Sequence, residues 1–271
     1  MKRYISIIVL FTLIVNILNG QSKEFKKVLN YYHFNNNFNG SVIVATNGKV
    51  DYTGSIGIAN RQTATNITSK SKFKIASITK TFTAVLILQL YEQGKLELNV
   101  PFGKYFPSYQ GEAKDKVTIE HLLTYSSRIP NKAEALQPYQ LPKSLDQFID
   151  QYCSGNLEGL PGGESNYGNT EYIILHKIIE NITGKSFDQV LKENILLPLE
   201  MGDTNMHKST DIIQGLVSSY TINDSTKIIA ADEPYYIENY FGAGAIYSTV
   251  MDLLKFDQGI FQNKLLSKTT T

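Results

Sequence analysis

The chain has one cysteine, Cys153, among 271 residues. A single thiol closes no internal disulfide, so stability has to come from the core. There is no C-x-x-C, no H-E-x-x-H and no Cys/His cluster at metal-ligand spacing, and no metal or organic cofactor is implied. No G-x-S-x-G is present, and His33, His121, His176 and His207 are the only imidazoles. His121 and His176 fall inside apolar helical runs and read as packed core residues, while His33 and His207 lie in polar segments. A Ser/His/Asp triad is therefore poorly supplied. No basic run with interleaved aromatics occurs, which argues against a nucleic-acid partner.

What is present begins at the N-terminus. Lys2 and Arg3 precede an apolar run from Ile5 to Leu18, and Asn19-Gly20 lead into a polar stretch at Gln21. Residues 1–20 read as a signal peptide, with an uncleaved anchor as the other reading. The run is shorter than the ~20 residues that a spanning helix needs. A periplasmic or secreted protein with no stable membrane span after cleavage is expected. Loss of Lys2 and Arg3 moves the formal charge from +1 to −1. Hydrophobic residues at 42% and charged residues at 19% mark residues 21–271 as an ordinary globular unit.

Residues 22–32 form an amphipathic pattern with Phe25, Val28, Leu29 and Tyr32 on one side. Two strands follow, 41–46 and 50–58, joined by Asn47-Gly48, a type I′ hairpin signal. A polar loop to about Ser71 and a short strand at 73–75 come next. Beyond Gly94 the pattern is helical. Ser144-x-x-Gln147 and Ser186-x-x-Gln189 are capping boxes for helices over 144–153 and 186–196. A buried helix over 170–182 is stopped by Gly184, and Thr249-x-x-Asp252 opens another. Strand-like pieces such as 227–231 lie between. Strands first, then a mostly helical insertion, suggest an α+β fold with an all-α lobe inserted into a sheet-containing lobe.

The S-x-x-K pattern occurs three times, at Ser69/Lys72, Ser71/Lys74 and Ser77/Lys80. The first two lie in a polar stretch without a buried face. Only Ser77/Lys80 leads into an apolar run, Thr81 to Tyr91, stopped by Gly94. Residues three apart share one helix face, so the Lys80 amine can reach the Ser77 hydroxyl. A serine hydroxyl is a weak nucleophile until a neighbour takes its proton. Desolvation and the helix dipole both disfavour a charged lysine at such a place. Taken alone, the tetrapeptide fits equally well a helix that merely starts with Ser.

A second constellation is Pro161 to Thr170, a Gly-rich turn feeding a helix, with the Y-x-N pair Tyr167/Asn169. A phenol titrates near ~10, and a cationic lysine beside it favours phenolate, so Tyr167 can shuttle protons to a serine. The Asn169 amide can donate to a substrate carbonyl or orient the lysine. A loop tyrosine beside a helix start is the plain alternative.

Together these segments resemble serine β-lactamase-type proteins, in the branch shared by class C β-lactamases, DD-peptidases and related esterases. The resemblance runs from about Tyr31 to the end. Residues 73–84 look like the nucleophile segment, 117–124 like the helix placed after it, and 161–169 like the Y-x-N segment. Residues 198–204 and 242–249 resemble two later stretches. The resemblance implies a β-lactamase/transpeptidase-like fold: an antiparallel sheet flanked by helices, with an inserted all-α lobe. It implies Ser77 as acylated nucleophile, Lys80 as base or electrostatic partner, Tyr167 as proton shuttle and Asn169 as substrate contact. The Ser77 N–H would be half of an oxyanion hole. Two departures stand out. Ser127-Arg128 replaces a common Ser-Gly, and no Lys/His-Thr/Ser-Gly tripeptide occurs, so residues 21–271 are expected to lack the family's C-terminal strands.

The reading is an exported serine hydrolase acting through an acyl-enzyme on an amide, β-lactam or ester carbonyl. Its partner is a small molecule or peptide: a β-lactam, a D-amino-acid peptide or an ester. The alternative is a non-catalytic protein of the same fold that binds β-lactams or peptidoglycan peptides.

Overall fold

The computed structural model describes residues 22–135, 137–223 and 225–270, so the signal segment lies outside the described residues. Helix α1 (22–36) leads into the hairpin of β1 (Gly40–Thr46) and β2 (Lys49–Ile56). Asn47 at φ 51° and Gly48 at φ 77° make the turn with two left-handed residues, as a type I′ hairpin requires. The strand expected over 50–58 ends at Ile56, because Gly57 turns away at φ 97°, and Ile58 opens a second, small antiparallel pair reaching into the expected polar loop, β3 (Ile58–Asn60) with β4 (Thr65–Asn66). At three and two residues they are too short to show the alternation that would have marked them.

Strand β5 (Phe73–Lys74) pairs antiparallel with β9 (Ile246–Ser248), and β9 pairs on its other edge with β6 (Asn205–Met206). Helix α2 (Thr79–Glu92) follows β5 directly and ends before Gly94, at φ 67°. Between α2 and β6 lies the all-α insertion. It contains α3 (Ala113–Lys116), α4 (Ile119–Leu123), α5 (Leu145–Tyr152), α6 (Thr170–Thr183) and α7 (Phe187–Leu191), which runs on into a π-turn, Lys192–Leu196. The hairpin of β7 (Tyr220–Ile222) and β8 (Ile229–Ala231), the one-turn α8 (Phe241–Gly244) and α9 (Val250–Phe261) complete the α+β arrangement.

Local chemistry explains the helix ends. The Ser144/Gln147 and Ser186/Gln189 capping boxes both form. A third forms at Thr118, where the His121 ring accepts from the Thr118 N–H at 3.3 Å. His121 is thus a capping residue, not the core residue expected of it. His176 is a core residue, stacked on Phe187 at 4.3 Å between ring centres. Thr249 caps α9 through the Asp252 N–H, and Gly184 closes α6 in the left-handed conformation.

The core is organised around α2 and α6. Phe82, Leu86 and Ile87 of α2 are fully enclosed, as are Ile173, Ile174, Leu175, Ile178 and Ile179 of α6. Phe82 stacks on Phe256 of α9, with ring centres 3.8 Å apart and planes 8° from parallel. The helix carrying the S-x-x-K pair is therefore held from both sides, and α8 packs against α2 and α6 together. Cys153 is buried, and its burial pushes the thiol well above the ordinary range. Among the described residues no helix is long and apolar enough to cross a membrane.

Candidate active site

Strand β5 delivers the chain to Ala76, which sits at φ 45° in the left-handed region. A non-glycine residue there stores about 1–3 kcal/mol of strain. The turn it makes starts a short 3-10 segment, Ala76–Ile78, that runs into α2 and leaves Ser77 exposed. Lys80, one turn further on, is almost fully buried, at 3% exposure. The expected separation holds: Lys80 Nζ lies 3.0 Å from Ser77 Oγ.

The contacts of Lys80 decide what this pair can do. Its Nζ donates to Asn169 Oδ1 at 2.9 Å and to the Ala243 carbonyl at 3.1 Å. Both partners are acceptors only, so each of these contacts uses an N–H. The contact with Ser77 Oγ is different, because a hydroxyl can donate or accept. An ammonium donates its third N–H there, whereas a neutral amine receives the hydroxyl proton in its lone pair. The same geometry thus serves both protonation states, which is what a proton acceptor for a serine nucleophile needs.

Asn169 sits at the start of α6, and its Nδ2 donates to Tyr139 Oη at 3.2 Å and to the Ala133 carbonyl at 3.4 Å. Both ends of the amide are therefore engaged. Tyr139 is buried, donates to the Ala133 carbonyl at 2.6 Å and stacks on Tyr240 at 3.8 Å between ring centres. Tyr167 is half exposed at 55% and meets the lysine through its ring face, with Lys80 Nζ 4.9 Å from the ring centre. Ser77, Tyr167 and Asn169 line one cleft of about 260 Å³, together with Lys74, Tyr235 and Tyr240. All four residues singled out from sequence converge at this point.

Sequence reasoning missed the groups that hold them. The Ala243 carbonyl comes from α8, whose approach depends on Gly242. A Cβ at Gly242 would lie 2.9 Å from Thr83 Oγ1, 3.0 Å from His176 Cβ and 3.1 Å from the Tyr172 carbonyl. Thr83 Oγ1 donates to the Gly242 carbonyl at 2.7 Å, and Thr79 Oγ1 accepts from the Ile246 N–H at 3.2 Å. Two α2 threonines thereby fasten α8 and β9 to the helix bearing Lys80. The signal for this was Thr79 and Thr83, spaced four apart and so on one face of the helix. His207 also differs from expectation. Its sequence segment is polar, yet its side chain is buried, and burial with the nearby Lys74 charge holds its imidazole below the ordinary range. At Ser127-Arg128, Arg128 takes φ 62°, the conformation a glycine adopts freely, and Ser127 Oγ donates to Glu171 Oε1 at 2.7 Å. Among the described residues no group of three or more His, Cys, Asp or Glu is placed to hold a metal ion.

The Beta-lactamase family model matches residues 36–271. The chain belongs to the β-lactamase family. It is 28% identical over 255 residues to a teichoic acid D-alanine hydrolase of Staphylococcus aureus (strain MRSA252), covering 94% of this chain and 62% of that relative. It is 29% identical over 252 residues to penicillin-binding protein 4* of Bacillus subtilis (strain 168), covering 86% of this chain and 54% of that relative. The chain therefore spans less than two thirds of the length of these curated relatives. Among solved structures, FmtA from Staphylococcus aureus superposes with a TM-score of 0.80 at 27% identity, over 92% of this chain and 69% of that one. A D-amino acid amidase from Ochrobactrum anthropi SV3 shares the fold, with a TM-score of 0.76 at 22% identity over 88% of this chain and 69% of that one.

The close approach of α8 is testable by stability. Gly242→Ala is expected to destabilise the protein by about 1–3 kcal/mol, the usual cost of overpacking. Urea unfolding followed by far-UV circular dichroism measures it; an unchanged midpoint would mean that α8 does not rest on Thr83 and Tyr172 as described.

Proposed function

We propose that this protein is an exported serine hydrolase that forms an acyl-enzyme on Ser77, with an amide, β-lactam or ester carbonyl as substrate. The observation that carries the reading is the 3.0 Å contact of a buried lysine amine with an exposed serine hydroxyl at the mouth of a cleft. A hydrolase of teichoic acid D-alanine among the relatives supports the reaction class.

In this reading Ser77 Oγ attacks the carbonyl carbon, its proton passes to Lys80, and the carbonyl oxygen takes up the developing negative charge. The Ser77 N–H, at the start of the turn leading into α2, is one donor for that oxygen. The leaving group departs with a proton delivered through Lys80 and Tyr167. Water then attacks the ester on Ser77; Lys80 and Tyr167 take its proton and pass it to Ser77 Oγ as the acyl–oxygen bond breaks and the acid product leaves. Asn169 and the Ala243 carbonyl hold the amine in place through their 2.9 Å and 3.1 Å contacts, so we assign Asn169 first a positioning role. A direct bond from Asn169 to substrate requires its Nδ2 to leave Tyr139 and Ala133. The assignment to the periplasm or outside the cell rests on the signal pattern in residues 1–20, and residues 21–271 form the domain that acts there.

Two kinetic experiments test this. Lys80→Ala and Tyr167→Phe are each expected to lower kcat for ester hydrolysis by ~10²-fold or more. The double variant should lose far less than the product of the two, because groups that act as a unit are not additive. Full activity in Tyr167→Phe would remove Tyr167 from the mechanism, and saturable binding of a β-lactam without any turnover in the unaltered protein would favour the non-catalytic alternative.

Asn169→Asp puts a carboxylate where the amide oxygen now faces Lys80. An opposite charge at that distance favours the ammonium, so a higher pH is needed to free the base. The acidic limb of the kcat/KM profile is expected to move up by about 1–3 pH units. A limb that stays put or moves down would contradict the role given to Lys80.

A further inference from the structure

The cleft beside Ser77 holds a second lysine that acyl transfer does not use. Lys74 lies on β5, paired across the ladder with Tyr247 of β9. Its side chain lines the same cleft as Ser77. Its Nζ donates to Tyr235 Oη at 3.3 Å and stands 4.7 Å from the centre of that ring. Because Tyr235 accepts this bond through its oxygen, its own O–H is left to donate elsewhere. A lysine ammonium carries two further N–H donors besides the one aimed at Tyr235.

The charges around Lys74 are already committed. Lys72, two residues earlier, forms an ion pair with Asp203 at 3.0 Å. Lys74 has no carboxylate within ion-pair distance among the described residues. The two acids whose charge reaches the neighbouring His207 are engaged elsewhere: Glu238 accepts from the Ser209 N–H at 3.1 Å and Oγ at 2.6 Å, and Asp211 from the Lys208 N–H at 3.1 Å. His207 itself is buried, and burial and the Lys74 charge hold its imidazole below the ordinary range. A cation and a phenol O–H therefore share one wall of a cleft beside the nucleophile, with no acid of the described chain to satisfy them. Charge-assisted bonds to an oxyanion are the strongest such a donor pair can make.

We propose that Lys74 and Tyr235 form an anion subsite that binds a carboxylate or phosphate group of the substrate while Ser77 attacks its carbonyl. Lys74 is then a specificity-determining residue. The subsite rests on the hydrolase reading for its purpose, but not for its existence.

The test separates the two. In Ser77→Ala protein, which has no nucleophile, N-acetyl-D-alanine serves as the carboxylate probe and methyl phosphate as the phosphate probe. Calorimetric titration at fixed ionic strength is expected to show saturable binding of at least one, and the tighter of the two identifies the source of the anion. Adding Lys74→Met should weaken that binding by about tenfold or more, and Lys74→Arg should restore most of it. In protein with Ser77 intact, the ratio of kcat/KM for an ester bearing that anion to kcat/KM for its uncharged isostere should fall by about tenfold in Lys74→Met, mainly through KM. Neither probe saturating, Lys74→Met binding as tightly as the parent, or an unchanged ratio would each overturn the subsite. Lys74-dependent binding of a probe with no hydrolysis of either ester would uphold the subsite and refute the hydrolase reading.

Discussion

A lysine amine held almost out of water beside a serine hydroxyl is the constraint on which the site depends. A buried ammonium is costly unless its protons have acceptors. Here Asn169 Oδ1 and the Ala243 carbonyl take two of them, leaving the third position of the nitrogen facing Ser77 Oγ. These acceptors come from two parts of the chain far apart in sequence. The all-α insertion supplies one through the start of α6, and the sheet-containing part supplies the other through α8. The cleft therefore exists only where the two parts meet.

Much of the packing around α2 can be understood as holding those acceptors still. Gly242 lets α8 approach α2 and α6 closely enough to aim the Ala243 carbonyl at the amine, and Thr83 fixes that approach with a 2.7 Å bond. Strain is stored on both sides of the site. Ala76 sits at φ 45° just before Ser77, and Phe241 at φ 44° and ψ −134° just before Gly242. Each costs about 1–3 kcal/mol. The Phe241 ring gives some of this back, packing edge-on against Phe148 and His176 at 5.5 and 5.7 Å. Strain beside the exposed serine and beside the carbonyl that holds the lysine amine marks a built site, not an incidental contact.

The parts of this arrangement legible in sequence are those written in local patterns. Asn47-Gly48, the Ser144 and Ser186 capping boxes, Gly94 and Gly184 all carry their meaning within a few residues, and each feature forms where expected. The convergence of Ser77, Lys80, Tyr167 and Asn169 is also readable, because helix spacing brings the first two together and two separate motifs supply the rest. What escapes is non-local or too short to show a period. Strand β9 is three residues long and is defined by its neighbours β5 and β6. The β3–β4 pair has only three and two residues to a strand, and α8 is a single turn defined by what it packs on. His121 reads as core because its run is apolar, yet its ring caps the helix. His207 lies in a polar segment, yet it is buried, with its backbone N–H bonded to the Ala245 carbonyl at 2.7 Å.

The central claim is that Ser77 becomes covalently acylated during turnover. Intact-protein mass spectrometry of acid-quenched reactions with an activated ester or a β-lactam, followed by peptide mapping, measures this directly. A mass increment equal to the acyl group, confined to the peptide containing Ser77, is expected to form and decay at a rate able to sustain turnover. Product release without an adduct, or an adduct on Ser69, Ser71 or any other serine, would contradict it.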